Sequence, residues 1–431
     1  MKVLIISYNP LTLSNNGGKY FVSLFSDFTR DEIAQLYVHN TLPDERRCHS
    51  YYRITDKDIL YKIFGRNEQH EITDNEILQQ DLKQKHERFT INADKNRHFK
   101  LILRDFMWKI ISWETDDLYR WIENERPECI FADTGDSCFL YNISMKIAQK
   151  YKLPLVCSFG DDYYSIPYSL KNPIKSIQLW LLRKKISQFV MKCNKVITLN
   201  DKFTAYYKNC FNVKNSDKME SVYMGESLSI DSFEYLKHEF KCKSLILSYI
   251  GNLCLGRLEN LMDIGKAIQT YNQMNHTQHV LRIYANINSA IIEQCSNIPA
   301  IDLQGLIPGN EVAKAIEKSD ILIHTESFLQ ENISQTRYSI STKIADSLRS
   351  KRCIVAYGPE CIASMEHLMN NDAAFCITSK ETLESALGTI LGDGQLIDSY
   401  ANKAMLCAEK FHKSSVNSKQ LRNILARCMD A

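Results

Sequence analysis

Ile321-Leu322-Ile323-His324-Thr325-Glu326-Ser327 leads through a polar segment to Ser341-Thr342-Lys343-Ile344-Ala345-Asp346-Ser347-Leu348. Cys353-Ile354-Val355-Ala356-Tyr357 follows. The first run predicts a strand over 321–324, the second a helix over 342–348, and the third a strand over 353–357. A strand, a loop, a helix and another strand form the repeating unit of a parallel sheet covered by helices.

The same rhythm extends outward from this unit. Leu245–Ile250 reads as a strand, followed by Gly251-Asn252, a helix over 258–271 and a strand over 279–284. Earlier, strands at Val3–Ser7, Cys129–Ala132, Leu155–Phe159 and Val196–Leu199 alternate with helical patterns at 20–28, 139–149, 174–193 and 202–209. These runs predict two doubly wound, Rossmann-like α/β domains facing across a cleft. The expected boundaries are 1–225, with a charged, mostly helical insertion at about 51–125, then 226–400, then helices over 401–431 packing back on the first domain. Trp108, Trp113 and Trp121 in the insertion fall on apolar stripes and are expected in the core.

Composition narrows the function. The 431 residues exceed one ordinary hydrophobic core. The 53 basic and 51 acidic side chains leave a net charge of +2, which gives no global attraction to nucleic acid. Fourteen scattered cysteines include no C-x-x-C pair, so neither a zinc cluster nor a disulfide framework is expected. The apolar start, Met1–Tyr8, reads as a buried strand and not an export signal, and no run is long enough to span a bilayer. A reduced, cytoplasmic chain is the expectation. With only 15 glycines, each is expected where the backbone requires one.

Open α/β sheets bind ligands beyond the carboxyl ends of their strands, so the loops there carry the candidates. Asn15-Asn16-Gly17-Gly18-Lys19 precedes a helix, and its spacing is not the G-x-G-x-x-G of dinucleotide sites; a plain turn is the alternative. Gly160-Asp161-Asp162-Tyr163-Tyr164 puts two carboxylates and two aromatic rings where sugar hydroxyls could be held; a helix cap is the alternative. Gly251-Asn252 with Arg257 offers a guanidinium fork for diphosphate oxygens. In the quoted stretch, Glu326 is placed to hold ribose or sugar hydroxyls. Ser341 reads as an N-cap, so Ser341, Thr342 and Lys343 together could meet a phosphate.

These residues, with Arg337-Tyr338-Ser339-Ile340-Ser341-Thr342-Lys343-Ile344 and Ala356-Tyr357-Gly358-Pro359, resemble GT-B-fold glycosyltransferases, in particular family 4, common in bacterial capsule, O-antigen and exopolysaccharide assembly. The resemblance implies a hexosyltransferase-like enzyme. It moves a sugar from a nucleotide diphosphate sugar to a saccharide or polyprenyl-linked saccharide acceptor, with retention and without a metal or other cofactor. It implies donor binding by Gly17, Gly18, Gly251, Asn252, Arg257, Arg337, Ser341, Thr342 and Lys343, with Arg257 and Lys343 as the cationic pair. Asp161, Asp162, Glu326 and Asp346 are the catalytic candidates. The sequence departs from that pattern in three places. Leu261 and Met262 stand where many members carry a second cation, Tyr338 stands where the first of two spaced glutamates falls, and no acceptor-side histidine precedes an aspartate.

Residues 174–192 are basic and amphipathic, and a peripheral contact with the inner face of the plasma membrane would suit a lipid-linked acceptor. Two other readings remain at this stage: a sugar-nucleotide 2-epimerase on the same fold, and a non-catalytic scaffold of that fold. A metal-dependent transferase with a D-x-D motif is set aside, because Asp56-Lys57-Asp58 falls in a charged, helical stretch.

Overall fold

The computed structural model of the chain describes all residues except 13–15, 44–46, 67–68, 74–75, 78–95, 214–215, 229, 231 and 431. Two compact units emerge, Met1–Tyr223 with Ser415–Ala431, and Met224–Ser414.

The first unit is built on strands β1 (Val3–Ser7), β2 (Ile33–Tyr37), β3 (Ser50–Arg53), β4 (His70–Glu71), β5 (Cys129–Asp133), β6 (Leu155–Phe159), β7 (Lys195–Thr198) and β8 (Met219–Ser221). They lie in the order β4-β3-β2-β1-β5-β6-β7-β8, and only the β3–β4 pair is antiparallel. Every residue of β1, β2 and β6 is buried, as expected of parallel strands covered on both faces. The second unit contains β9 (Ile246–Ile250), β10 (Val280–Tyr284), β11 (Ile301–Leu303), β12 (Ile321–Thr325), β13 (Cys353–Tyr357) and β14 (Phe375–Ile377). Its all-parallel order is β11-β10-β9-β12-β13-β14. Leu247, Leu261, Ile264, Leu281, Ile323 and Val355 are among its buried core. The doubly wound α/β reading of the sequence holds.

In both sheets the winding reverses direction beside the first strand, between β1 and β5 and between β9 and β12. Ligands of doubly wound sheets sit at such switch points. The ladder joining β9 to β12 is short, pairing Leu247 with Ile321 and Ser248 with Leu322, while the strands run on to Ile250 and Thr325.

The stretch 51–125 differs from the expected helical insertion. It opens inside the sheet with β3 and β4, because Ser50-Tyr51-Tyr52 is a buried, β-favouring run. The helix Asp56–Lys62 lies between these strands, and Arg97–Ile110 and Asp116–Glu125 come after them. The tryptophans are buried. Trp108 stacks on Phe139 at a centroid distance of 4.2 Å and donates to Asp56 Oδ1 at 2.7 Å. Trp121 donates to Ser50 Oγ at 2.8 Å.

Glycine scarcity shows at helix ends. Arg126, Lys152 and His276 occupy the left-handed C-cap conformation that usually falls to glycine, at φ of 48°, 54° and 54°. Each of these turns carries roughly 1–2 kcal/mol of strain that glycine would avoid.

The helix Gly394–Phe411 belongs to the second unit, whereas Ser414–Met429 packs on the first. Arg422 of that last helix makes a forked contact with Glu32, at 2.6 and 2.9 Å, and donates to the Asp27 carbonyl at 2.7 Å. Among the described residues, no helix is long and apolar enough to cross a membrane. All fourteen cysteines are free thiols.

Candidate functional site

Gly251 directly follows β9, and its N–H donates to the Tyr284 carbonyl at 3.0 Å, which continues the sheet pattern by one residue. The Lys343 ammonium lies so close above Gly251 that any β-carbon there would collide with it, and would also fall 2.9 Å from Tyr249 Oη. Lys343 also lies 5.8 Å from the Tyr249 ring centroid. The glycine therefore makes room for a cation at the strand end.

Arg257 starts the helix Arg257–Asn275 after Gly256, which has a φ of +73° and is packed against Ser327 and Asn332. Its guanidinium is positioned from two sides. Nη1 donates to Asn252 Oδ1 at 3.0 Å, and Nη2 donates to the Glu326 carboxylate at 3.1 and 3.4 Å. Asn260, one turn on and buried, donates to Thr325 Oγ1 at 2.9 Å and to the Glu326 carbonyl at 2.8 Å. It thereby ties the helix to the end of β12. Asn260 is a site-building residue missed in the sequence; an asparagine at i+3 from the arginine, on the helix face toward the sheet, was the available signal.

Glu326 is only 4 % exposed. Its N–H donates to the Tyr357 carbonyl at 3.0 Å, and Gly358 lies against its backbone. Burial pushes its carboxyl up, and the charges of Arg257 and Lys343 pull it back. His324, one turn of pleat earlier, is held down at about 3 by burial, with Arg257 and Lys343 adding to the effect. It is a neutral imidazole near pH 7, with Nε2 3.1 Å from Ser364 Oγ. Two cationic side chains and one buried carboxyl thus gather around residues 251, 257, 326 and 343.

The rest of the quoted stretch is arranged differently from its sequence reading. The helix runs Lys343–Arg349, its N-cap position is Thr342 with no side-chain cap bond, and the Ser341 carbonyl accepts from Ile344 N–H at 3.0 Å. Ser341 as N-cap is therefore corrected: the N-cap position falls one residue later, at Thr342, and no side-chain oxygen caps this helix. Seven residues make a weak macrodipole, and the cationic character of the site comes from side chains. Arg337 is exposed, beside the Tyr338 ring at 5.7 Å. Asp346 is buried and fully engaged: Oδ1 accepts from Ser227 N–H at 2.7 Å and Leu228 N–H at 3.0 Å, and Oδ2 from Ser227 Oγ at 2.9 Å.

In the first unit, Asp161 is exposed at the end of β6, whereas Asp162 is buried. Asp162 Oδ1 accepts from Tyr164 N–H at 2.9 Å, Ser165 N–H at 3.2 Å and Tyr207 Oη at 3.3 Å, and Oδ2 accepts from Ser165 Oγ. It shapes the loop. Asp133, which sequence reading passed over, ends β5 at the switch point. Burial first, then the Asp161 charge, raise its carboxyl to about 7. The rule that singled out Asp161 and Asp162, a carboxylate closing a strand, also applied to Ala132-Asp133-Thr134-Gly135. Gly17 and Gly18 lie in the helix Asn16–Leu24, and Gly18 packs so tightly on Thr12 that a side chain would not fit. Asn15, named with them, lies outside the described residues.

The helix Pro173–Lys192 is apolar on both faces. Leu179, Leu182, Ile186 and Phe189 are buried, while Ile174, Ile177, Trp180 and Leu181 are exposed. Gln178 touches His98 of the helix Arg97–Ile110 at 3.3 Å, and that helix exposes Phe99, Leu103, Phe106 and Ile110.

No protein-family model matches the chain, and no curated protein sequence matches it. Solved structures do match over its full length. Anabaena HepE, crystallised with UDP and glucose, has a TM-score of 0.62 at 11% identity, covering 99% of this chain and 100% of that one. Sucrose-phosphate synthase from Thermosynechococcus elongatus has a TM-score of 0.60 at 9% identity, covering 99% of each chain. An S. aureus TarM mutant in complex with fondaparinux, α-GlcNAc-glycerol and UDP has a TM-score of 0.60 at 12% identity, covering 99% and 100%. At these identities the likeness is one of fold: the chain has the GT-B architecture of these glycosyltransferases, two Rossmann-like units in one chain, from end to end.

Proposed function

We propose that this chain is a glycosyltransferase whose second unit binds a nucleotide diphosphate sugar at the β9–β12 switch point. The observation that carries the reading is the seating of Lys343 over Gly251 together with the anchoring of Arg257 between Asn252 and Glu326. Two cations fixed at strand ends, one beside a glycine that leaves the backbone open to approach, suit the two phosphates of such a donor. As the sugar departs, negative charge grows on the diphosphate, and Arg257 and Lys343 stabilise it where it develops. Glu326 aligns Arg257 and is offered to ribose or sugar hydroxyls. Gly251, Asn252, Ser341, Thr342 and the exposed Arg337 complete the donor assignment, with Gly17 and Gly18 as the glycines of the first unit's opening loop. Because both oxygens of Asp346 are satisfied by Ser227 and Leu228, Asp346 enters this reading as a positioning residue for the Lys343 helix.

The first unit takes the saccharide acceptor, with Asp161 and Asp133 at strand ends to hold hydroxyls and Asp162 shaping the loop between them. UDP is the first nucleotide to test, since solved structures of the same fold carry it. We further infer transfer with retention and with the diphosphate met by side-chain cations, in surface-polysaccharide assembly on the cytoplasmic face of the membrane. The exposed apolar faces of Pro173–Lys192 and Arg97–Ile110, flanked by Lys100, Lys109, Lys175 and Lys184, support contact with anionic lipid and hence a polyprenyl-linked acceptor. A thermal-shift screen across nucleotide sugars tests the reading: a binder raises the midpoint in a concentration-dependent way. No shift with any nucleotide sugar at millimolar concentration would remove it.

A further inference from the structure

Away from the residues assigned above, three metal-ligating side chains meet in the interior of the second unit. His367 comes from the helix Ala363–Asn370, Cys407 from the helix Gly394–Phe411, and His412 caps that helix. All three are buried, at 7 %, 3 % and 1 % exposure. His367 Nε2 lies 2.9 Å from His412 Nε2 and 3.5 Å from Cys407 Sγ, and the three atoms all lie within 4.8 Å of one another. The imidazole planes are nearly perpendicular, at 85°.

His412 Nδ1–H donates to the Met224 carbonyl at 2.7 Å, which leaves the Nε2 lone pair aimed at the cluster. A backbone carbonyl orienting the far nitrogen in this way is the usual support for a metal-bound histidine. Only one proton fits between the two Nε2 atoms. That proton belongs to His367, whose Nε2–H points at both His412 Nε2 and Cys407 Sγ, so one nitrogen faces both other ligand atoms. Tetrahedral zinc with ordinary bond lengths separates two nitrogen ligands by about 3.3 Å and a nitrogen from a sulfur by about 3.6 Å. The two separations from His367 need to open by only a few tenths of an ångström, and His412 Nε2 and Cys407 Sγ already lie within 4.8 Å of each other.

We propose that His367, Cys407 and His412 form a three-ligand zinc site. Zinc binding releases the thiol proton to solvent and moves the His367 proton from Nε2 to Nδ1, so that one thiolate and two neutral imidazoles face the ion. The site lies where the chain enters and leaves the second unit. Met224 begins that unit and holds His412; Glu226 N–H donates to the His412 carbonyl at 3.0 Å; and Ser414 N–H donates to Glu226 Oε2 at 2.8 Å. The ion clips both passages to the helix Ala363–Asn370. The sequence hides such a site because His367 stands 40 residues before Cys407 and 45 before His412.

The full chain, expressed in zinc-supplemented medium with the exposed Cys254 and Cys361 changed to serine, is assayed for bound metal by mass spectrometry. Cobalt-loaded protein is assayed for thiolate-to-cobalt absorption. About one equivalent of zinc per chain, a thiolate–cobalt band, and a thermal midpoint that falls on chelation are expected. Cys407→Ala and, separately, His367→Gln are expected to lower metal retention at least tenfold, and Cys407→Ala to abolish the band. Wild-type protein without retained metal and without the band overturns the proposal, as does a Cys407→Ala variant that keeps both. Should a variant fail to fold, the wild-type cobalt spectrum alone decides. None of these readouts involves nucleotide binding, so they stand apart from the proposed activity.

Discussion

Replacing Gly251 by alanine puts a methyl group inside the space occupied by the Lys343 ammonium and 2.9 Å from Tyr249 Oη. The backbone of Gly251 lies outside the left-handed region, so alanine costs no strain there. Lys343 is the flexible partner and gives way; normal contact requires it to withdraw by about 1.5 Å. Moving a unit charge from about 3 to about 4.5 Å from a phosphate oxygen, at an effective dielectric constant of about 20, weakens the attraction by about 1.8 kcal/mol. That is about a twentyfold loss of affinity for a nucleoside diphosphate. Removing the charge altogether in Lys343→Ala is expected to cost more, about 2–3 kcal/mol. Isothermal titration with UDP and its sugars measures both losses, and thermal unfolding checks that Gly251→Ala leaves the midpoint within a degree or two. If Gly251→Ala binds as tightly as wild type while Lys343→Ala does not, the glycine does not seat the ammonium and the strand-end argument fails.

Asp346→Asn is expected to destabilise the second unit by about 1–3 kcal/mol in denaturant titration, because one oxygen accepting two N–H groups is disturbed, while donor affinity changes less than threefold. Asp133→Asn is expected to stabilise the first unit. The native carboxyl is raised to about 7 from 3.8, so its contribution is fully present below pH 3.8 and lost as pH rises through about 7; the amide removes that loss, by on the order of 1–2 kcal/mol at pH 8, with weaker acceptor use in a transfer assay. Glu32 has the opposite sign: Arg422 chiefly holds its carboxyl down at about 2, so the stability it gives is present above pH 4.5 and lost as pH falls toward 2. Arg422→Ala is expected to cost about 1 kcal/mol and to speed proteolysis of the helix Ser414–Met429. Trp180→Ala with Ile177→Ser is expected to reduce sedimentation with phosphatidylglycerol vesicles severalfold and to leave phosphatidylcholine unaffected.

The central strands were legible because burial on both faces leaves no alternation to confuse the pattern. Val3–Ser7, Leu155–Phe159 and Cys353–Tyr357 match their strands residue for residue. β2 and β3 were not legible: Ile33-Ala34-Gln35-Leu36-Tyr37 carries a glutamine in full burial, and only the folded chain shows that it donates to Ser7 Oγ and the Asn9 carbonyl and accepts from Leu11 N–H. At the candidate site, glycine and arginine near strand ends singled out loops that the fold brings to the β9–β12 switch point. The pairing of Arg257 with Glu326 spans 69 residues and follows from the neighbouring positions of β9 and β12, which no local pattern encodes. Asp346 shows the converse. A carboxylate early in a helix reads equally as catalytic or structural, and its ties to Ser227 and Leu228, over a hundred residues away, appear only in three dimensions.

The most direct test of the diphosphate site is the dissociation constant of UDP, with ADP and GDP as a panel, for wild type, Arg257→Ala and Lys343→Ala. The account predicts saturable binding of at least one nucleotide by wild type, and at least a 30-fold loss in each variant with its fold intact. Binding of equal strength in all three proteins, or no binding of any nucleotide at millimolar concentration, would contradict it.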